Sequence, residues 1–180
     1  MTLRAHYVGP WRVDLDRRSG SRLVSAAGLA RLMAAALGAA GAPAPASLGL
    51  ILTDDAALAG LSREHMGVEG PTDVLSFPLL SPFAFPAHSG RAPAGESTVH
   101  RFALPPGRRP HLGDVVVSVE RAIAQAAEGR GGQTGDVRWS PADELRLLVV
   151  HGVLHVCGWD HADRAEGEAM RALERRLLGR

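Results

Sequence analysis

Apolar residues recur along this chain with two periods, and the change between them marks most of its elements. Leu3–Val8 reads as a first strand. From Ser21 the positions Leu23, Ala26, Ala30, Met33 and Leu37 stand three or four apart, the spacing of one helical face. Gly38 and Gly41 end that helix, and Pro43 and Pro45 open the next connection. Ser47–Thr53 reads as a buried strand, after which Asp54 or Asp55 caps a helix carrying Leu58 and Leu61. Val74–Leu79 and Val115–Val119 read as further strands, and Val119–Glu128 as a helix that Gly129 interrupts. Ser140-Pro141-Ala142-Asp143 has a capping residue, a proline at the first helical position and an acid in the first turn, a strong helix start. The helix it opens is apolar nearly all round, from Leu145 through Val156, which marks a buried helix. A last helix, Ala162–Leu178, keeps Met170, Leu173 and Leu177 on one side. The pattern predicts an α+β fold: one domain over residues 1–180, with a small sheet of about four strands and several helices, one of them central and buried.

Composition changes this picture little. The chain has 180 residues, 46% of them hydrophobic, and a formal net charge of +1. That length supports a real core, and that charge supplies no global field to draw the protein onto nucleic acid. Any nucleic-acid contact has to come from local patches. All 20 basic residues are arginine, whose forked guanidinium suits phosphate oxygens. Cys157 is the single cysteine, so no intramolecular disulfide forms. Met1–Val8 has no apolar core of a secretory signal, and the alanine-rich stretch near Leu29–Ala46 is broken by Arg31, glycines and prolines. A cytoplasmic protein without a membrane partner is expected.

Residues 80–111 have a different texture: six prolines and Arg91, Arg101, Arg108 and Arg109 against the single acid Glu96. They read as a flexible insertion whose arginines offer contacts to an anionic partner such as nucleic acid. Phe83, Phe85 and Phe102 either stack on unpaired bases or pin the loop to the body, and pinning is the expected role. His88, His100 and His111 lack helical spacing and are weaker ligand candidates.

The chemistry concentrates in His151-Gly152-Val153-Leu154-His155-Val156-Cys157-Gly158-Trp159-Asp160-His161. Histidines four apart on a helix lie about 40° apart in azimuth and one turn apart in height, so their imidazoles converge beside the helix. Gly158 suits a left-handed helix end, which swings His161 back toward the same point. Three neutral imidazoles without a fourth protein ligand describe an open zinc site, with another divalent transition metal as the alternative. Its nucleophile is expected to be a metal-bound water. The spacing is also that of a metzincin peptidase, except that Gly152 stands where the general-base Glu belongs. Either space is wanted there, or the glycine serves close packing against another helix. Asp160 is expected to support a histidine, cap the turn or act on water.

The motif from His151 to His161 resembles the signature of the YbeY family of bacterial rRNA maturation factors. Pro71-Thr72-Asp73-Val74-Leu75-Ser76-Phe77-Pro78 and Leu112-Gly113-Asp114-Val115-Val116-Val117-Ser118 are similar to two further blocks of that family, in the same order. The resemblance implies a zincin-like fold with His151, His155 and His161 as ligands. It implies a single-strand-specific, metal-dependent endoribonuclease acting in rRNA maturation and ribosome quality control. Its partners would be single-stranded rRNA precursors and ribosomal subunits, with no DNA. Thr72, Asp73 and Ser76 match the second block and are the substrate-binding candidates. Strand alternation sets Asp73 and Ser76 on opposite faces, so both are not expected to face the metal. The family commonly carries an arginine where this chain has Met66. Arg63, three residues earlier and a helical neighbour, is the candidate replacement. Two other classes stay open: a metallopeptidase lacking its Glu base, and a non-catalytic ribosome-assembly factor with a structural zinc.

Overall fold

A five-stranded mixed sheet forms the frame of the computed structural model, which describes residues 3–19, 22–67, 72–90, 108–129 and 139–180. The strands are β1 (Leu3–Val8), β2 (Trp11–Arg17), β3 (Ala46–Thr53), β4 (Val74–Pro78) and β5 (His111–Ser118), in the spatial order β1-β2-β3-β5-β4. The central strands β2, β3 and β5 run parallel, while the edge strands β1 and β4 run antiparallel to their neighbours. The helices are α1 (Ala26–Ala39), α2 (Asp55–Met66), α3 (Val119–Glu128), α4 (Pro141–Val156) and α5 (Arg164–Leu178). The architecture is α+β, with one strand more than the sequence pattern suggests.

The extra strand is β2. Trp11, Val13 and Leu15 are buried and alternate with the polar residues Arg12 and Asp14, the period of a half-covered strand. Its charged positions conceal it from a search for apolar runs. The strand joins β1 through a tight turn in which Gly9 takes φ 57°.

Alternation assigns the two faces of the sheet. Val13, Leu15, Leu48, Leu50, Leu52, Val115 and Val117 join the main core with residues of α1 and α4. On the other face Val116 and Leu75 pack with Leu58 of α2 in a smaller cluster. Helix α4 touches β4 and β5 as well as α1, α3 and α5, which is why no polar stripe appears along it. Its Leu145, Leu148, Val149, Val150, Val153 and Leu154 have no exposed surface. Burial of each such side chain stabilises the fold by roughly 1.5–3 kcal/mol, so this helix is held by packing rather than by propensity.

Both ends of α4 are fixed locally. The Ser140 hydroxyl accepts from the Asp143 amide, and the Asp143 carboxylate accepts from the Ser140 amide, a reciprocal capping box. At the other end the amides of Gly158 and Trp159 donate to the carbonyls of His155 and Leu154, and Gly158 takes φ 81°. The chain therefore leaves the helix in a tight left-handed turn, as the glycine implies.

Candidate metal centre

The turn at Gly158 brings His161 to the two histidines of α4. One nitrogen from each of His151, His155 and His161 lies within 4.8 Å of the other two. The ring centroids are 4.5 Å apart for His151 and His155, 5.5 Å for His151 and His161, and 5.1 Å for His155 and His161. His151 Nε2 and His155 Nε2 face each other at 3.0 Å. Two nitrogens that ligate one tetrahedral ion at 2.0–2.1 Å stand about 3.3 Å apart, so this donor set fits a small transition-metal ion.

The tautomer of His151 is set from outside the motif. Its Nδ1 lies 2.8 Å from Glu174 Oε1, and both side chains are buried. The carboxylate accepts the Nδ1 proton, which leaves the Nε2 lone pair directed at the shared centre. Glu174 was missed in the sequence although a signal exists. It lies four residues after Met170 and three before Leu177, an acid inside the apolar stripe of α5.

The three rings open onto a cavity of about 420 Å³. Asp73, Ser76 and Met66 line it with the histidines. Asp73 and Ser76 thus share one cavity, contrary to the alternation argument, because Asp73 precedes β4 and is not bound by the strand's period. The Asp73 carboxylate accepts from the Val74 amide and from the Gln125 side chain, which ties the cavity wall to α3. Ser76 Oγ donates to the Gly152 carbonyl at 3.0 Å and fastens β4 to the ligand helix. Thr72 donates to the Val74 carbonyl and is not among the residues lining the cavity. Met66 is 51% exposed at the rim, whereas Arg63 is exposed on α2 and does not line the cavity.

Gly152 is explained by packing, against strands rather than against another helix. A Cβ there would come within 2.4 Å of Val115 Cγ1 and 3.0 Å of Val74 Cγ2. The helix can therefore lie close on β4 and β5 only where it has no side chain.

Asp160 turns its carboxylate toward its own backbone. Oδ1 accepts from the His161 amide at 2.7 Å, and this bond, ahead of the nearby histidines, holds the acid below the usual carboxylate range. The loop is also held from α5 and from residues 80–90. Glu166 Oε1 accepts from the Asp160 amide at 2.9 Å and lies 2.6 Å from His88 Nε2. The His88 ring stacks on Trp159 with centroids 3.8 Å apart. His88 is thus a brace for the ligand loop. Phe85 is buried and pins its segment, while Phe83 is half exposed. Phe102, His100 and the arginines Arg91 and Arg101 lie outside the described residues, as does the rest of 91–107. The Cys157 thiol is pushed up to about 12 by burial, which makes it inert packing at neutral pH.

Burial, reinforced by His151 and His161, lowers the His155 pKa to about 4. The unfolded chain then binds this proton at a higher pH than the folded chain does. Stability of the metal-free protein should be fully retained above about pH 6.5, the ordinary histidine value, and decline as pH falls from there toward 4. Urea unfolding of chelator-treated protein at pH 7.5 and pH 5 measures the loss, and His155→Gln should reduce its pH dependence. An equal slope in the variant would assign the effect elsewhere.

Among the described residues no helix is long and apolar enough to cross a membrane. Residues 20–180 match the sequence model of the family described as Endoribonuclease YbeY. The Endoribonuclease YbeY of Moorella thermoacetica is 37% identical over 163 residues, covering 91% of this chain and 89% of that protein. That of Chloroflexus aurantiacus is 37% identical over 149 residues, covering 82% of this chain and 81% of the relative. That of Roseiflexus castenholzii is 38% identical over 136 residues, covering 75% and 70%. The fold is similar to the solution structure of TM1509 from Thermotoga maritima, with a TM-score of 0.52 at 19% identity over 94% of this chain and 89% of that one.

Proposed function

This chain belongs to the Endoribonuclease YbeY family, and from that premise we propose that it cuts single-stranded RNA at a metal ion held by His151, His155 and His161. It is an endoribonuclease, a hydrolase of RNA phosphodiester bonds. The observation that carries the metal reading is the convergence of three imidazole nitrogens on one point, with Glu174 behind His151. Zinc is the proposed ion, and another divalent transition metal would use the same donors. When bound, such an ion lowers the pKa of water toward neutrality and polarises a phosphoryl oxygen.

The protein residues do the rest by position. Glu174 keeps the His151 proton on Nδ1 and so keeps Nε2 available. Asp160 assists by holding the turn that aims His161; its low pKa makes it a poor proton donor. Asp73 and Ser76 shape the wall against which the RNA backbone lies, and Thr72 supports the start of β4. Arg63, one turn before Met66, offers its guanidinium to a phosphate outside the cavity, a weaker substitute for an arginine at position 66. Single-stranded rRNA precursors are the proposed substrates and ribosomal subunits the proposed partners, in the cytoplasm. Residues 80–111, as an insertion of one domain, add basic contacts to the strand.

The test is cleavage of one labelled RNA as single strand and as duplex by zinc-loaded protein, with casein alongside. Single-strand cleavage should vanish with chelator and in His155→Ala, together with bound metal measured by elemental analysis. Arg63→Ala should lower the rate and Met66→Arg should raise it. Casein hydrolysis without RNA cleavage would favour the peptidase reading. Ribosome association by a folded His155→Ala protein, with no cleavage by the parent, would favour the assembly factor.

A further inference from the structure

A second cavity, of about 360 Å³, lies at the far edge of the sheet and has no part in the metal centre. Arg4, Arg17 and Arg22 line it, beside Ser25 and Ala26 at the start of α1. No carboxylate appears among its described lining residues. Strand alternation explains that charge separation. Arg4 pairs with Leu15 across β1 and β2, and Arg17 follows Leu15 by two, so all three residues face α1. The acids Asp14 and Asp16 fall on the opposite face of β2, where they pair with Arg12 and Arg18. The helix adds to the positive end. Ser25 caps α1, and its first turn carries no acid to offset the dipole.

Arg4 and Arg22 are exposed, and Arg17 is the one held by a hydrogen bond. Arg17 donates to the Val24 carbonyl at 2.9 Å, which ties its guanidinium to the cavity wall. Burial, and then the charge of Arg22, hold Arg17 below its usual pKa. A bound anion would relieve both costs. In a chain of net charge +1, three arginines around one pocket are a local field of the kind the composition alone could not supply.

We propose that Arg4, Arg17 and Arg22 form a phosphate-binding subsite that grips the RNA backbone away from the point of cleavage. This rests on the endoribonuclease reading for the identity of the ligand. The chemistry recognised is the phosphate group, which a free anion also carries. From β1 to β4 there are four strand spacings of about 4.8 Å, roughly 19 Å in all. At about 3.4 Å per stacked nucleotide a single strand spans that distance in roughly six nucleotides. The subsite therefore selects for length and sets the register of the strand over the metal centre.

The experiment is fluorescence anisotropy with an uncleavable 16-nucleotide single-stranded RNA, using the whole protein and its Arg4→Ala/Arg22→Ala variant across a salt series. Arg17 is left intact because it supports the Val24 carbonyl. The variant should bind about tenfold more weakly. Its log–log salt slope should be shallower by about 1.4, since each phosphate neutralised on a single strand contributes about 0.7. Arg4→Lys/Arg22→Lys should recover the slope, and thermal unfolding checks that each variant is folded. Arginine side-chain NMR signals are followed in parallel while the parent is titrated with inorganic phosphate. If phosphate shifts them but RNA affinity is unchanged in the alanine variant, the site takes a free anion and the RNA assignment is overturned. If neither responds, there is no anion site. Cleavage by the parent is scored separately: a parent that cleaves RNA beside a variant that binds normally removes the subsite and leaves the endoribonuclease.

Discussion

Gly152→Glu, which would complete a peptidase spacing, should yield a chain that no longer folds stably and gains no activity on casein. The added Cβ alone would sit 2.4 Å from Val115 Cγ1, 3.0 Å from Val74 Cγ2 and 3.3 Å from Ser76 Oγ. The two closest atoms are methyl groups of stiff, β-branched side chains in a strand, so they cannot swing away. Forcing such overlap costs about 1–3 kcal/mol, and burying a carboxylate without a partner costs several more. Against a typical domain stability of about 5–15 kcal/mol, that sum removes a large share and unfolds a chain at the low end of the range. Gly152→Ala separates the two effects. It keeps the steric clash, drops the charge and regains about 1 kcal/mol of helix propensity, so its urea midpoint should fall only modestly. A Glu variant with the parent's midpoint would disprove the packing account, and one that hydrolyses casein would reopen the peptidase reading.

Glu174→Leu should weaken metal binding by about 10–100-fold, and RNA cleavage should fall with it. The carboxylate is 2.8 Å from His151 Nδ1, and both side chains are buried. Leucine leaves the imidazole free to change tautomer or rotate, either of which withdraws Nε2 from the centre. Glu174→Gln retains an amide oxygen that can accept the same proton, so it should recover much of the affinity. Competition with a chromophoric chelator measures the metal dissociation constant, and urea unfolding of metal-free protein gives the control. Leucine removes the acceptor of the buried His151 Nδ1–H, which should cost the empty protein about 1–3 kcal/mol, whereas Glu174→Gln keeps an acceptor and should lose less. A parallel loss of metal affinity and metal-free stability in Leu and Gln alike would reduce Glu174 to a packing residue.

Much of the fold was legible because its signals are local. The α4 start at Ser140 follows from side chains that bond their own first turn, and its end from a glycine that tolerates φ 81°. Burial of that helix follows from an apolar surface on every side. β2 was not legible in the same way: Arg12, Asp14 and Asp16 interrupt its apolar run, and only its alternation with Trp11, Val13 and Leu15 reveals it.

The same division runs through the site. The sequence by itself determined the three histidines, because i and i+4 on a helix followed by a left-handed turn can direct rings to one point without help from elsewhere. Only the tertiary structure decided what surrounds them. Glu174 reaches His151 from 23 residues away, and Ser76 reaches the Gly152 carbonyl from 76 residues away. His88 braces the ligand loop across 78 residues through Glu166. Arg4, Arg17 and Arg22 meet because a strand pairing and a helix start bring them to one cavity, not because of any motif. Spacing fixes geometry within one element. Partners on different elements are fixed only when the shared core packs those elements together, and that depends on the whole chain at once.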